Sequence, residues 1–136
     1  MYVQSYLSFE GRCEEALAFY QRAVGAKVEM LMRFKESPEP PAADRPAANG
    51  DKVMHCAFKI GQTTVFASDG YCLGNAEFKG FGLSLTVDDD AAAERYFNAL
   101  AEGGKVTMPL ARTFWTSRFG MLLDKFGVCW MINVAR

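Results

Sequence analysis

The chain repeats itself at a fixed offset. Leu7 and Leu85, Phe19 and Phe97, Ala23 and Ala101, Gly25 and Gly103, Lys27 and Lys105, and Val28 and Val106 all stand 78 positions apart. A fixed-period repeat constrains a fold more than composition does, because each copy is one supersecondary unit. Each copy reads strand, helix, strand, strand, strand. A unit this short cannot bury both sides of its sheet alone. Two units side by side can curve their sheets around a shared cavity, with the helices outside. The fold class expected is therefore α+β: two βαβββ modules, about 1–70 and about 80–136, forming curved mixed sheets around a cavity within one domain, 1–136.

Local patterns fix the elements. Val3 to Phe9 predicts a strand, broken at Gly11. Cys13, Ala16, Leu17, Tyr20 and Val24 recur at helical spacing, and Gly25 stops the helix. Lys27 to Phe34 alternates as a strand, setting Val28, Met30, Met32 and Phe34 against Lys27, Glu29, Leu31 and Arg33. Glu36 to Asp51 holds all but one of the five prolines and predicts a surface loop, serving as slack, a dimer contact or a lid. Val53 to Ile60 and Thr63 to Ser68 form a hairpin across Gly61-Gln62. Phe81 to Val87 is the first strand of the second copy. Asp88-Asp89-Asp90 opens its helix as a cap, and Gly103-Gly104 ends it. A short strand near Lys105 to Thr107, a loop at Pro109, and strands at Arg118 to Asp124 and Val128 to Val134 complete the chain.

Alternation assigns faces. Leu7 and Phe9 turn to the helix, which leaves Gln4, Tyr6 and Ser8 for the cavity. Phe81, Leu83, Leu85 and Val87 do the same in the second copy, leaving Gly82, Ser84 and Thr86. Met54, Cys56, Phe58 and Ile60 oppose His55, Ala57 and Lys59, so His55 lands on the cavity side. Trp130 joins Val128 and Ile132 in the core, while Cys129, Met131 and Asn133 take the other face. After Gly61 two registers remain open: Val65, Ala67 and Asp69 point inward, or Phe66 and Ser68 do.

Charge narrows the partners. The chain has 15 basic and 16 acidic residues and a net charge of −1, which leaves no surplus to neutralise phosphates and argues against nucleic acid. No apolar run reaches the ~20 residues of a membrane span, and Met1 to Ser5 lacks the pattern of a secretion signal. A cytoplasmic protein is expected. Cys13, Cys56, Cys72 and Cys129 form no CxxC pair and read as reduced thiols.

Tyr6-Leu7-Ser8-Phe9-Glu10-Gly11-Arg12-Cys13-Glu14-Glu15-Ala16 running into Phe19-Tyr20, then Ala67-Ser68-Asp69, carry a resemblance. So do Phe114-Trp115-Thr116-Ser117-Arg118-Phe119-Gly120 and Asp124-Lys125-Phe126-Gly127-Val128-Cys129-Trp130. With these motifs the chain resembles the glyoxalase, or vicinal oxygen chelate, superfamily, and within it the PhnB-like branch. The resemblance implies a homodimer. It also implies four metal-ligand positions, usually His, Glu or Gln. These fall on Gln4, on Gly82, on Met131, and on Val65 or Phe66 according to register. Such a set does not suit Zn²⁺, Ni²⁺ or Mn²⁺, so neither metal nor other cofactor is expected. Members of the branch are often linked to methyl transfer in the ubiquinone pathway. The sequence has no GxGxG-like run of the kind that cradles an adenosyl donor.

The expected ligand is a small molecule held by Gln4, Tyr6, His55 and Met131, with Trp115 at the rim. His55, the single histidine in the sequence, and Asp69 are the candidate proton carriers. Asp69 also suits a turn cap, His55 a hydrogen-bonded structural role, and Trp115 a dimer contact. Three functions stand open: a metal-free enzyme, a ligand-sequestering protein of the bleomycin-resistance type, and a metal-dependent lyase, isomerase or dioxygenase. A structural module with a filled cavity is a further class.

Overall fold

The computed structural model describes residues 1–39 and 50–135. The expected loop over 36–51 lies largely outside them. The described chain is α+β and divides into two compact units, Met1–Ala76 and Glu77–Arg136.

The first unit runs β1 (Tyr6–Ser8), α1 (Cys13–Val24), β2 (Lys27–Arg33), a 3-10 turn at Phe34–Glu36, β3 (Val53–Ile60) and β4 (Thr63–Ser68). Its sheet has the order β1-β4-β3-β2, with β1 parallel to β4 and the other pairs antiparallel. The second unit runs β5 (Leu83–Val87), α2 (Asp90–Ala101), β6 (Lys105–Ala111), β7 (Phe119–Leu123) and β8 (Cys129–Val134). Its order, β5-β8-β7-β6, is the same topology with the same parallel pair. Each unit is thus a βαβββ module with a mixed four-stranded sheet.

The repeat of 78 places equivalent side chains at equivalent jobs. Phe19 on α1 and Phe97 on α2 are both buried. On α1, Cys13, Ala16, Leu17, Tyr20, Ala23 and Val24 join Phe19 in covering the sheet. Tyr20 stacks on Phe58 at 6.0 Å. Leu7, Phe9, Cys56, Val65 and Ala67 close this core. A fully buried side chain of this size contributes about 1.5–3 kcal/mol relative to exposure. Gly25 ends α1 at φ 68°, a left-handed conformation that glycine adopts without a Cβ penalty.

Two expectations change. Strict alternation along β2 fails, because Val28 opposes Phe58 while Met30 opposes Ala57. Two residues of β2 face one of β3, which is a bulge, and it turns Met30 and Met32 to the side opposite Val28. The second unit carries the same shift 78 residues later: Val106 opposes Leu122 and Met108 opposes Met121. Pro109, expected in a loop, lies inside β6. β6 is the outer strand of its sheet, and its pairing with β7 shifts register between Met108 and Ala111, an edge irregularity of the kind that accommodates a proline.

Candidate functional site

The open face of each sheet, away from its helix, carries the candidate residues. In the first unit Tyr6 opposes Phe66, Phe66 opposes Ala57, and Ala57 opposes Met30, so one row crosses all four strands. His55 opposes Met32 one row further along. Register puts Val65 and Ala67 against the helix side, both buried, and Phe66 on the open face. The ring of Phe66 lies 5.3 Å from His55 and 6.4 Å from Tyr6, and Tyr6 lies 5.7 Å from His55. Three rings therefore form one cluster. Tyr6 is half exposed and the other two are partly covered.

Within that cluster the Tyr6 hydroxyl and the His55 Nδ1 are 3.3 Å apart. If the phenol donates, Nδ1 is the bare nitrogen and Nε2 carries the proton. If Nδ1 donates, Nε2 is the base. The contact holds the imidazole plane in either tautomer. Gln4, just before β1, donates from Nε2 to the Thr64 carbonyl at 3.4 Å, which ties it to β4.

The structure does not bring Asp69 to this face. Asp69 is buried on the helix side, where its Oδ1 accepts from the Cys13 N–H at 2.7 Å and its Oδ2 from the Val53 N–H at 2.6 Å. The first bond caps α1, whose own N-cap residue, Arg12, makes no side-chain capping bond. Both carboxylate oxygens are engaged in joining β4, α1 and β3.

In the second unit the row is Ser84, Met131, Met121 and Met108. The next row is Thr86, Asn133, Phe119 and Ala111. Trp115, in the loop between β6 and β7, donates from its indole to Asn133 Oδ1 at 3.2 Å and meets Phe119 edge-on at 5.2 Å. It therefore lies at the end of this face. The loop is held by Thr116, buried, whose hydroxyl donates to the Val134 carbonyl at 2.8 Å. A cleft of about 540 Å³ runs along Arg112 to Ser117, with Phe114 exposed beside Trp115. Arg118 turns to α2 instead, 3.6 Å from both Asp90 and Glu94. Sequence reasoning did not pair Trp115 with Asn133. Alternation had placed Asn133 on this face, but nothing local says which loop side chain reaches it.

The closing motif has a structural explanation. Asp124 is buried and its Oδ1 accepts from the N–H groups of Phe126 at 2.9 Å and Val128 at 3.0 Å. Its Oδ2 accepts from the Trp130 indole at 2.9 Å. One carboxylate thus closes the β7–β8 turn and satisfies the buried tryptophan. Cys13 and Cys56 are both buried with sulfurs 3.7 Å apart. The contact with Cys56 and burial push the Cys13 thiol above its usual range, away from nucleophilic use.

The four metal-ligand positions implied by resemblance hold Gln4 and Phe66 in the first unit and Gly82 and Met131 in the second. An amide, a phenyl ring, a hydrogen atom and a thioether do not fit a divalent zinc, nickel or manganese ion. Among the described residues no three His, Cys, Asp or Glu side chains gather as a metal-holding group. Among them, too, no helix is long and apolar enough to cross a membrane.

A family model described as 3-demethylubiquinone-9 3-methyltransferase matches residues 2–133. Protein YjdN of Escherichia coli K12 is 36% identical over 144 residues, covering 100% of this chain and 97% of YjdN. The crystal structure of PA1353 from Pseudomonas aeruginosa superposes with TM-score 0.83 at 42% identity, covering 98% of this chain and 97% of that one. A Bacillus cereus protein titled putative 3-demethylubiquinone-9 3-methyltransferase, PhnB protein, superposes with TM-score 0.80 at 25% identity, covering 99% and 100%. A glyoxalase/bleomycin resistance protein/dioxygenase family enzyme from Burkholderia phytofirmans shares the fold at TM-score 0.60 and 19% identity, over 99% of this chain and 97% of that one.

Proposed function

This chain belongs to the family described as 3-demethylubiquinone-9 3-methyltransferase, a PhnB-like family of the glyoxalase superfamily, and from that membership we propose that it binds a small, flat, mostly apolar molecule without a divalent metal. The observation that carries the reading is the Tyr6–His55–Phe66 cluster on the open face of the first sheet. Aromatic walls with one oriented polar pair are what a small-molecule site requires. Tyr6 holds Nδ1 of His55, which directs Nε2 toward a single hydrogen-bonding group on the ligand. Asp69 has no part in this site, since its oxygens serve backbone N–H groups.

Methyl transfer does not come over with the family's description. Adenosyl donors are cradled by a Gly-rich turn between strand and helix in an open parallel sheet. Here β1 passes to α1 through Phe9-Glu10-Gly11-Arg12, with one glycine, and β5 passes to α2 through Asp88-Asp89, with none. A second reading, catalysis by proton transfer at His55, is favoured by the same Tyr6 contact, because an oriented imidazole is the usual general base or acid. Turnover of a bound molecule separates it from plain sequestration.

A small-molecule thermal-shift screen tests the site. A ligand present at 100 times its Kd stabilises the native state by about 2.7 kcal/mol, a shift easily read. The expected hit raises the melting temperature of wild type and fails to do so in His55→Ala. Hits that stabilise wild type and His55→Ala by equal amounts would place the binding surface elsewhere. The same comparison in Trp115→Ala tests separately for a ligand in the cleft along Arg112 to Ser117 of the second unit.

A further inference from the structure

The loop between β6 and β7 holds two aromatic rings out of the core as a fixed corner. Phe114 is 93% exposed and Trp115 36% exposed, and their rings meet at 80° with centroids 4.8 Å apart. Exposed rings need no explanation on a loose loop, but this loop is tied to the strand beneath it. The Trp115 indole donates to Asn133 Oδ1 at 3.2 Å, and the Thr116 hydroxyl donates to the Val134 carbonyl at 2.8 Å. The Thr113 N–H closes the turn on the Thr116 carbonyl at 3.0 Å. Ala135, which lines the same cleft, donates its N–H to the Val87 carbonyl at 2.8 Å. The cleft of about 540 Å³ along Arg112 to Ser117 is therefore formed before anything enters it, and little ordering remains for a ligand to impose.

Charge completes the chemistry. Arg112 lines the cleft, is exposed, and has no hydrogen bond or ion pair among the described residues. No acidic side chain lines the cleft with it. Asp90, which accepts from Ser117 at the other end of the lining, is paired with Arg118 at 3.6 Å. A guanidinium without a partner takes a carboxylate through two parallel N–H bonds. A perpendicular ring pair offers a third flat ring one face and one edge, the two arrangements that aromatic groups prefer. We propose that this cleft binds a planar aromatic carboxylate, its ring in the Phe114–Trp115 corner and its carboxylate on Arg112. This goes beyond the small-molecule reading, which rests on the first unit's rings, and stands without it.

The test is a titration of the full chain with cinnamate, read by NMR from the indole N–H signals of isotope-labelled protein. The chain has two tryptophans, and the second, Trp130, is buried with its indole on Asp124. The Trp115 signal is expected to shift and saturate with a Kd below about 1 mM, while the Trp130 signal stays. Cinnamamide, the same planar frame without the charge, should bind about tenfold more weakly. Arg112→Gln should weaken cinnamate by about the same factor and leave cinnamamide unchanged, whereas Phe114→Ala should weaken both. Both side chains are exposed, so neither substitution disturbs the core. His55→Ala should leave the Trp115 titration as it is, which separates failure of this site from failure of the first unit's. A Trp115 signal that does not move at millimolar cinnamate would overturn the proposal. So would equal affinity for acid and amide, wild-type binding by Arg112→Gln, or a weaker Trp115 titration in His55→Ala. A Trp115 signal that moves with protein concentration alone would assign the corner to a second copy of the chain and overturn it as well.

Discussion

Helix α1 is capped from a distance, and helix α2 caps itself. In the first unit the carboxylate of Asp69, at the end of β4, reaches the first N–H of α1 across 56 positions of chain and binds the β3 N–H of Val53 with its other oxygen. In the second unit Asp89 stands immediately before α2 and accepts from the Ala92 N–H at 2.7 Å. The topology is the same, but the caps differ in what depends on them. Removing a local cap frays a helix end. Removing a buried tertiary cap leaves donors from two other elements without partners.

That contrast sets the largest expected effect. Asp69→Ala should destabilise the chain by about 2–4 kcal/mol, since two buried N–H groups lose their acceptor at about 1–3 kcal/mol each with some relaxation. Urea unfolding checks it, and a loss below about 1 kcal/mol would show that the carboxylate is replaceable by water. Asp89→Ala should cost about 1 kcal/mol, the usual worth of an exposed N-cap. If the two substitutions cost the same in the same titration, the distinction between tertiary and local capping fails.

The sequence was legible where one element explains itself. The Asp88-Asp89-Asp90 run announces a cap because donor and acceptor are three residues apart, and Gly25 announces a stop because the left-handed turn is local. Thr63 to Ser68 and Val53 to Ile60 came out with their bounds because a two-residue turn pins the register. Asp69 was ambiguous because its partners come from two other elements. Whether Val65 or Phe66 faces the helix depends on pairing with β1, and Phe66 as the third ring of the cluster stayed open for that reason. The bulge at Val28 to Met30 was hidden as well. Alternation is a period of two, and an inserted residue shifts that period without changing any residue type. The repeat gave its one clue, since Val28 and Val106 mark the same bulge in both units.

The smallest expected effect lies on the first unit's surface, where β2 is tied to α1 by charge. Arg33 donates to the Glu14 carboxylate and also to the Asp51 carbonyl at 2.7 Å. The hydrogen bond from Arg33 holds Glu14 below the usual carboxylate range, with burial opposing. A depressed folded pKa stabilises above the unfolded value, about 4.3 for a model Glu, and the contribution is lost as pH falls through the lower folded value. Solvent screens the pair, since the Glu14 side chain is 58% exposed. Glu14→Gln should therefore lower the melting temperature at pH 7 by only about a degree, and wild type and variant should converge near pH 3. Raising the salt to about 1 M at pH 7 should close most of the same gap. Arg33 keeps its bond to the Asp51 carbonyl in the variant, so the guanidinium stays placed and the measurement reads the charge alone. A gap of several degrees, or one that persists in acid and in salt, would mean that Glu14 acts through packing on β2 rather than through its charge.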